Sequence, residues 1–242
     1  MNNGYGFSVI IPTLHEESSI DKTLASIQSA TNNSVHNIET IIVDGGSRDR
    51  TREIANKYTD NILLYTTPGI AKARNFGARH ASGDILIFLD ADLKVPPNFF
   101  NKIHKTFKDN DIVGANCNSM PCDSVNPTTV ERGFYKLWSV VRRGAYTLKP
   151  CGTGENGIII KKKTFDKIRG FREDLPTIED LDLVFRASRF GKFMFLKNLT
   201  LYDSIRRFRK MRTSRFMFTY ISNFLYYLLT RKTRVKQWNP VR

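Results

Sequence analysis

The stretch Ile85 to Leu93, I-L-I-F-L-D-A-D-L, ends an apolar run in two carboxylates spaced one residue apart. A short apolar run of this kind reads as a buried strand. Its exit delivers Asp90 and Asp92 close enough together to face one divalent cation and the diphosphate that cation holds. Mg2+ and Mn2+ are hard cations that take oxygen ligands and commonly keep phosphate oxygens as further partners. Aspartates at strand ends also close turns, so the pair alone leaves a structural reading open.

Three other groups have the right residue types for chemistry. Asp44, in I-I-V-D-G-G-S-R-D-R-T, precedes two glycines and a serine; it could accept hydrogen bonds from a base, or sit in an ordinary strand-to-helix turn. Thr177-Ile178-Glu179-Asp180 suits a helix start with Thr177 as cap and acids in the first turn, where the helix dipole favours them. One of those acids could equally act as a general base toward a hydroxyl. Gly152-Thr153-Gly154-Glu155-Asn156-Gly157 is glycine-rich but does not follow a strand and open a helix, so it reads as a lining loop or a turn. The histidines at 15, 36, 80 and 104 are scattered without ligand spacing.

The elements that must position these groups alternate. Ser8–Pro12, Glu39–Asp44, Asn61–Thr66 and Ile85–Asp90 read as strands. Helical stretches over Ser18–Ala30, Asp49–Tyr58 and Ile70–Ser82 separate them, with Ser18 or Ser19 and Ser47 as caps, and Pro96-Pro97 opens another helix. Strand alternating with helix predicts an α/β fold with a mostly parallel central sheet covered on both faces. Ligands of such sheets sit at the carboxyl ends of the strands. Pro12-Thr13, Asp44-Gly45 and Asp90-Ala91-Asp92 all fall there and together form one expected site. Further on, helices over Pro127–Tyr146, Lys163–Arg169 and Ile178–Arg189 and strands over Gly157–Ile160 and Phe193–Lys197 are expected.

Composition bounds the partners. The chain has 242 residues, 40% of them apolar, with a net charge of +15 and three cysteines. An odd cysteine count without a C-x-x-C pair suggests neither a disulfide framework nor a zinc site and fits a reducing, cytoplasmic setting; the first residues lack the pattern of a signal peptide. Residues 201–242 carry eleven Lys/Arg against the single acid Asp203. Within them Phe216–Leu229 is apolar and aromatic and is flanked by cations. It is too short to cross a bilayer, which needs about 20 residues. It is suited to lying in the headgroup plane of an anionic membrane, or to docking on the protein's own core.

Taken together, these residues resemble family 2 of the inverting glycosyltransferases, which have the GT-A fold. The resemblance spans about Phe7 to Phe195 and rests on four ordered motifs: Ser8–Glu17, Ile41–Thr51, Ala73–Asp92 and Gly170–Leu183. It implies a GT-A domain over 1–203, with a nucleotide-binding half (1–115) and an acceptor half (116–203), followed by a basic, membrane-associating segment (204–242). By resemblance, Pro12, Thr13 and Glu16 line the nucleotide pocket and Asp44 contacts the base. Arg74 and Asn75 line the sugar-nucleotide cleft, Asp90 touches ribose or sugar, and Asp92 binds the metal with Asp90 beside it. Asp180 is the implied catalytic base, with Glu179 supporting it. Gly45 stands where the family usually has a second acid, and Ser204-Ile205-Arg206-Arg207 only loosely matches a basic motif of some members.

The implied reaction is a single displacement. An acceptor oxygen deprotonated by Asp180 attacks the anomeric carbon opposite the nucleoside diphosphate, whose charge is offset by Mg2+ or Mn2+ and by cations such as Arg206 or Arg207. The expected donor is a UDP- or GDP-hexose, with a lean to GDP-mannose. The expected acceptor is a hydroxyl on a membrane glycolipid, with a polyprenyl or dolichyl phosphate as the closest competitor, at the cytoplasmic side of the membrane. Two other classes fit the residues less well. A nucleotidyltransferase wants a basic glycine-rich loop where this chain has P-T-L-H-E-E, and a nucleic-acid-binding module wants a polar basic groove where the tail has an aromatic run.

Overall fold

A computed structural model describes residues 6–122, 126–148, 157–204, 209, 222–223, 226–227 and 229–233. Its core is one eight-stranded mixed sheet. The first half lays down β1 (Phe7–Thr13), α1 (Ile20–Asn32), β2 (Ile38–Asp44), α2 (Thr51–Ala55), β3 (Ile62–Leu64), α3 (Ile70–His80) and β4 (Ile85–Phe88). The two-residue β5 (Leu93–Lys94), α4 (Phe99–Phe107) and β6 (Ile112–Pro121) follow. The second half adds α5 (Thr129–Leu148), β7 (Ile158–Lys161), α6 (Lys162–Lys167), α7 (Glu179–Ala187) and β8 (Lys192–Asp203).

The strand order is β3-β2-β1-β4-β7-β6-β8-β5. β1, β2, β3 and β4 pair in parallel, as βα alternation dictates, and β6 with β8 is also parallel; β4–β7, β6–β7 and β5–β8 are antiparallel. Parallel pairing sets Thr13 opposite Asp44 and Ile10 opposite Phe88, so the exits of β1, β2 and β4 lie side by side. The expected boundary between halves at 115/116 falls inside β6, and both halves share the sheet.

Two apolar layers sandwich the sheet. Ile11, Ile87 and Ile159 point to one side against Leu24 and Phe100, while Ile10, Phe88 and Ile160 point to the other against Phe165 and Leu183. Each such side chain contributes about 1.5–3 kcal/mol when fully buried. α3 lies close on the sheet because position 77 is glycine: a Cβ there would meet Ile10 Cγ2 at 2.6 Å and Val43 Cγ2 at 2.8 Å.

β6 was not among the expected strands, and β8 runs well beyond the expected Phe193–Lys197. The expected caps also differ. Ser19 occupies the cap position of α1, but its hydroxyl donates to the Glu16 carboxylate at 2.8 Å and makes no cap bond. Arg50, not Ser47, precedes α2, and Ile178, not Thr177, precedes α7. Among the described residues no helix is long and apolar enough to cross a membrane.

Candidate active site

Two loops close the exits of β1 and β2. The Asp44 carboxylate is fully buried and accepts from Thr13 Oγ1 at 3.1 Å, Gly46 N at 3.0 Å, Ser47 N at 2.8 Å and Ser47 Oγ at 2.6 Å, with Arg52 Nε at 3.8 Å. Burying a charge demands such saturation. Asp44, the residue that the resemblance implies at the nucleotide base, thus also organises the turn after β2. The turn is laced to the preceding loop, since His15 N donates to Ser47 Oγ at 2.9 Å and Glu16 N to Thr51 Oγ1 at 2.8 Å. Ser47 was expected only as a helix cap and Thr51 was not singled out; hydroxyls three and seven residues after a strand-end aspartate are the signal that could have found this role. Pro12 and Glu16 are half-buried at the same exits, and Thr13 is buried.

At the β4 exit Arg74 joins parts of the chain far apart in sequence. From the core-facing side of α3 it donates through Nη2 to Asp90 Oδ1 at 3.0 Å and through Nη1 to Glu179 Oε1 at 3.0 Å. Its guanidinium carbon stands 5.4 Å from the Phe171 ring centroid. Arginine suits this role because its planar fork holds two carboxylates at once and stacks on an aromatic face. The residue expected to line a sugar cleft is thus the bridge between the aspartate pair and the acids of α7. Asn75, expected beside it in the cleft, is bonded to the loop before α7. Its amide donates to Phe171 O at 2.9 Å and Glu173 Oε1 at 3.0 Å, and its Oδ1 accepts from Phe171 N at 2.9 Å. With those groups taken, Asn75 holds the loop before α7 in place. Gly170, at φ +66°, lets that loop pass, since a Cβ there would stand 2.5 Å from Asn75 Oδ1.

The start of α7 is built on strained backbone. Ile178 has φ +68°, a region a β-branched residue avoids. Such a conformation costs about 1–3 kcal/mol and persists where its surroundings over-determine it. Ile178 is buried with Leu175, Leu181 and Tyr227. Tyr227 comes from the C-terminal segment; its hydroxyl donates to Asp182 Oδ1 at 2.7 Å, Arg231 packs 4.3 Å from the Phe185 ring, and Thr177 bonds Thr233 at 2.9 Å. The described tail residues Asn223 and Tyr227 are therefore buried on the protein rather than presented outward, while Leu229 is exposed. Most of the segment expected to lie in the headgroup plane falls outside the described residues.

The acids at this start are unequal. Glu179 is buried, and its carboxyl is pushed up to about 7 by burial and by the neighbouring Asp180 charge, against the pull of Arg74. Asp180 is half-exposed, and its Oδ1 accepts from Leu181 N at 2.8 Å. Asp92 is half-exposed and accepts a hydrogen bond at Oδ2 from Ser204 Oγ at 2.8 Å; Ala91 is buried, its carbonyl accepting from Thr23 Oγ1 at 2.7 Å. Ser204 brings the tail to the aspartate pair, and Arg206 and Arg207, the next cations, lie outside the described residues. Among the described residues no three His, Cys, Asp or Glu converge as a metal cage. What Asp92 and Asp90 offer is one or two carboxylate oxygens, a donor set that fits a hard cation completing its shell with phosphate and water.

Comparison with known proteins agrees with this architecture. The chain is 28% identical over 194 residues to a protein of Haemophilus influenzae described as an uncharacterized glycosyltransferase, covering 77% of this chain and 63% of that one. It is 34% identical over 106 residues to the dolichol-phosphate mannosyltransferase of Pyrococcus furiosus, covering 42% and 30%. The chain thus spans less than two thirds of either relative. A mannosyltransferase of Pyrobaculum calidifontis, solved in complex with GDP-Man and Mn2+, superposes with a TM-score of 0.66 at 18% identity, over 84% of this chain and 58% of that one. The fold is that of the GT-A glycosyltransferases. Residues 8–172 match the model for Glycosyl transferase family 2, and the chain belongs to that family.

Proposed function

We propose that this chain is an inverting glycosyltransferase that moves a hexose from a nucleoside diphosphate to a hydroxyl of a membrane glycolipid at the cytoplasmic face, working peripherally. One observation carries the reading: Arg74 holds Asp90 and Glu179 at 3.0 Å each, so the aspartate pair and the α7 acids, 89 residues apart along the chain, share one site. An enzyme joining donor and acceptor needs both sets of groups within reach of one reacting carbon.

Asp92, with Asp90 behind it, would hold the cation, which supplies charge neutralisation on the leaving diphosphate when bound. Asp180, more exposed than Glu179, takes the proton of the acceptor hydroxyl. The freed oxygen forms its bond to the anomeric carbon as the carbon–oxygen bond to the diphosphate breaks, and the electron pair leaves with the diphosphate. Attack from the opposite face inverts the centre. Glu179, pinned by Arg74, fixes the start of α7 and with it Asp180. Pro12, Thr13 and Glu16 frame the nucleotide side, and Arg206 and Arg207, next cations after Ser204 in the sequence, are the candidates to offset phosphate charge. GDP-mannose is the favoured donor, supported by the likeness to a mannosyltransferase solved with GDP-Man.

A polyprenyl or dolichyl phosphate acceptor is the second reading, favoured by the dolichol-phosphate mannosyltransferase relative. A phosphate is already anionic and needs no base, so the two readings diverge on one variant. With radiolabelled GDP- and UDP-hexoses and Mn2+, Asp180→Asn should lose at least about a thousandfold in transfer to a hydroxyl while keeping nucleotide affinity. Undiminished turnover removes Asp180 as base. Transfer confined to lipid phosphate with little loss in the variant selects the second reading.

A further inference from the structure

α5 carries a face the site does not use. Its buried side is Glu131, Tyr135 and Ser139, at four-residue spacing, each less than a tenth exposed. On the outer side Val130, Leu137 and Val140 are 78%, 65% and 62% exposed. A Cβ added at Gly133 or Gly144, which share that side by helical spacing, would meet nothing within 4 Å. Among the described residues nothing covers this apolar stripe, which runs from Val130 to Val140 on a 20-residue helix, about 15 Å along its axis.

Charge says what covers it. In sequence α5 holds Arg132, Lys136, Arg142 and Arg143 against one acid, Glu131. That acid is turned inward, where Arg209 Nε donates to it at 2.8 Å and hydrogen bonding holds its carboxyl down at about 2. Arg132 and Lys136 are exposed. Among the described side chains of α5 the outer side is therefore apolar, with Arg132 and Lys136 as exposed cations and no exposed acid, on a chain of net charge +15. A second copy packed stripe to stripe would bring like charges together. Of the described tail residues, Tyr227, Arg231 and Thr233 pack at α7, and Arg209 bonds Glu131 on the inner side of α5. An anionic bilayer complements both the stripe and its cations.

From this geometry we infer that α5 is the surface by which the protein docks on anionic lipid, its outer stripe entering the headgroup boundary. The inference rests on the membrane-acceptor reading above and moves the contact from the tail to α5. The helix is also wired to the site. Tyr135 Oη donates to Asp203 Oδ2 at 2.8 Å, and the next residue, Ser204, donates to Asp92. Docking through α5 therefore holds the aspartate pair at a fixed position relative to the lipid surface.

The test is flotation of the full chain with vesicles of phosphatidylcholine alone or mixed with phosphatidylglycerol, at low and high salt. Wild type should float with the anionic vesicles and release partly at high salt. V130E/L137E, altered only where side chains are exposed, should keep its melting temperature and partition at least about tenfold more weakly. Leu137→Trp should bind normally and shift its emission to the blue on binding. Equal flotation of wild type and V130E/L137E overturns the docking surface but leaves a lipid acceptor standing. Wild type that floats with neither vesicle overturns both. A lipid-free dimer that V130E/L137E turns into monomer assigns the stripe to a second copy instead.

Discussion

The turn after β2 and the start of α7 each bury a carboxylate and treat it in opposite ways. Asp44 is surrounded by two hydroxyls and two backbone N–H groups, with Arg52 farther off at 3.8 Å. Glu179 faces one guanidinium that it shares with Asp90, and Asp180 beside it repels it, so its carboxyl rises to about 7. The first arrangement stabilises a fixed charge and a fixed loop. The second leaves a group whose charge is poorly stabilised, on backbone strained at Ile178. The contrast sets a charge satisfied within its own turn against one left poorly stabilised, and unsettled charge and strain collect where groups must react.

The largest expected effect comes from removing the shared cation. Arg74→Met removes the guanidinium shared by the buried Glu179 and the half-buried Asp90 and should cost about 3–5 kcal/mol in urea unfolding at pH 8. The loss should shrink at pH 5, where Glu179 takes a proton. A loss under about 1 kcal/mol, equal at both pH values, breaks the contrast. Asp44→Ala strands the Thr13 and Ser47 hydroxyls and should cost about 2–4 kcal/mol, with Asp44→Asn recovering part of it.

Glu179→Gln sharpens the comparison by its pH dependence. A carboxyl raised from 4.5 to about 7 binds its proton more tightly folded than unfolded, so stability is highest below pH 4.5 and declines as pH rises toward 7. Removing the carboxyl should flatten that decline, which amounts to about 1–3 kcal/mol; an unchanged slope in pH-dependent melts contradicts the assignment. The smallest effect belongs to Tyr227→Phe, which removes the bond to Asp182 and should cost about 1 kcal/mol. A neutral result would mean the tail does not brace the strained start of α7.

How much of this could be read from the sequence differs by region for physical reasons. The alternating first half was legible because β1, β2 and β4 are apolar runs ended by turn residues, and their exits hold Thr13, Asp44 and Asp90 as expected. β6 was not: Gly114, Asn116, Asn118 and Ser119 are poor strand formers, and pairing with β7 and β8 on either side imposes extension on them. The roles of Arg74 and Asn75 were hidden although a clue was present. Ala71, Arg74, Asn75 and Ala78 fall on one stripe of α3, and a cation on a core-facing stripe requires a buried acid partner. Which acid answered it, 105 residues later, depends on chain crossover and not on spacing.

The central claim, that Asp92 and a cation hold a nucleoside diphosphate beside the α7 acids, is tested most directly by thermal melts with UDP and GDP, each with and without Mn2+, on wild type and Asp92→Asn. The account predicts that one nucleotide with Mn2+ raises the wild-type midpoint by several degrees, as about 3 kcal/mol of binding at a hundredfold excess over Kd would, and that Asp92→Asn abolishes the Mn2+-dependent part. A shift that persists undiminished in Asp92→Asn, or no shift with either nucleotide, contradicts it.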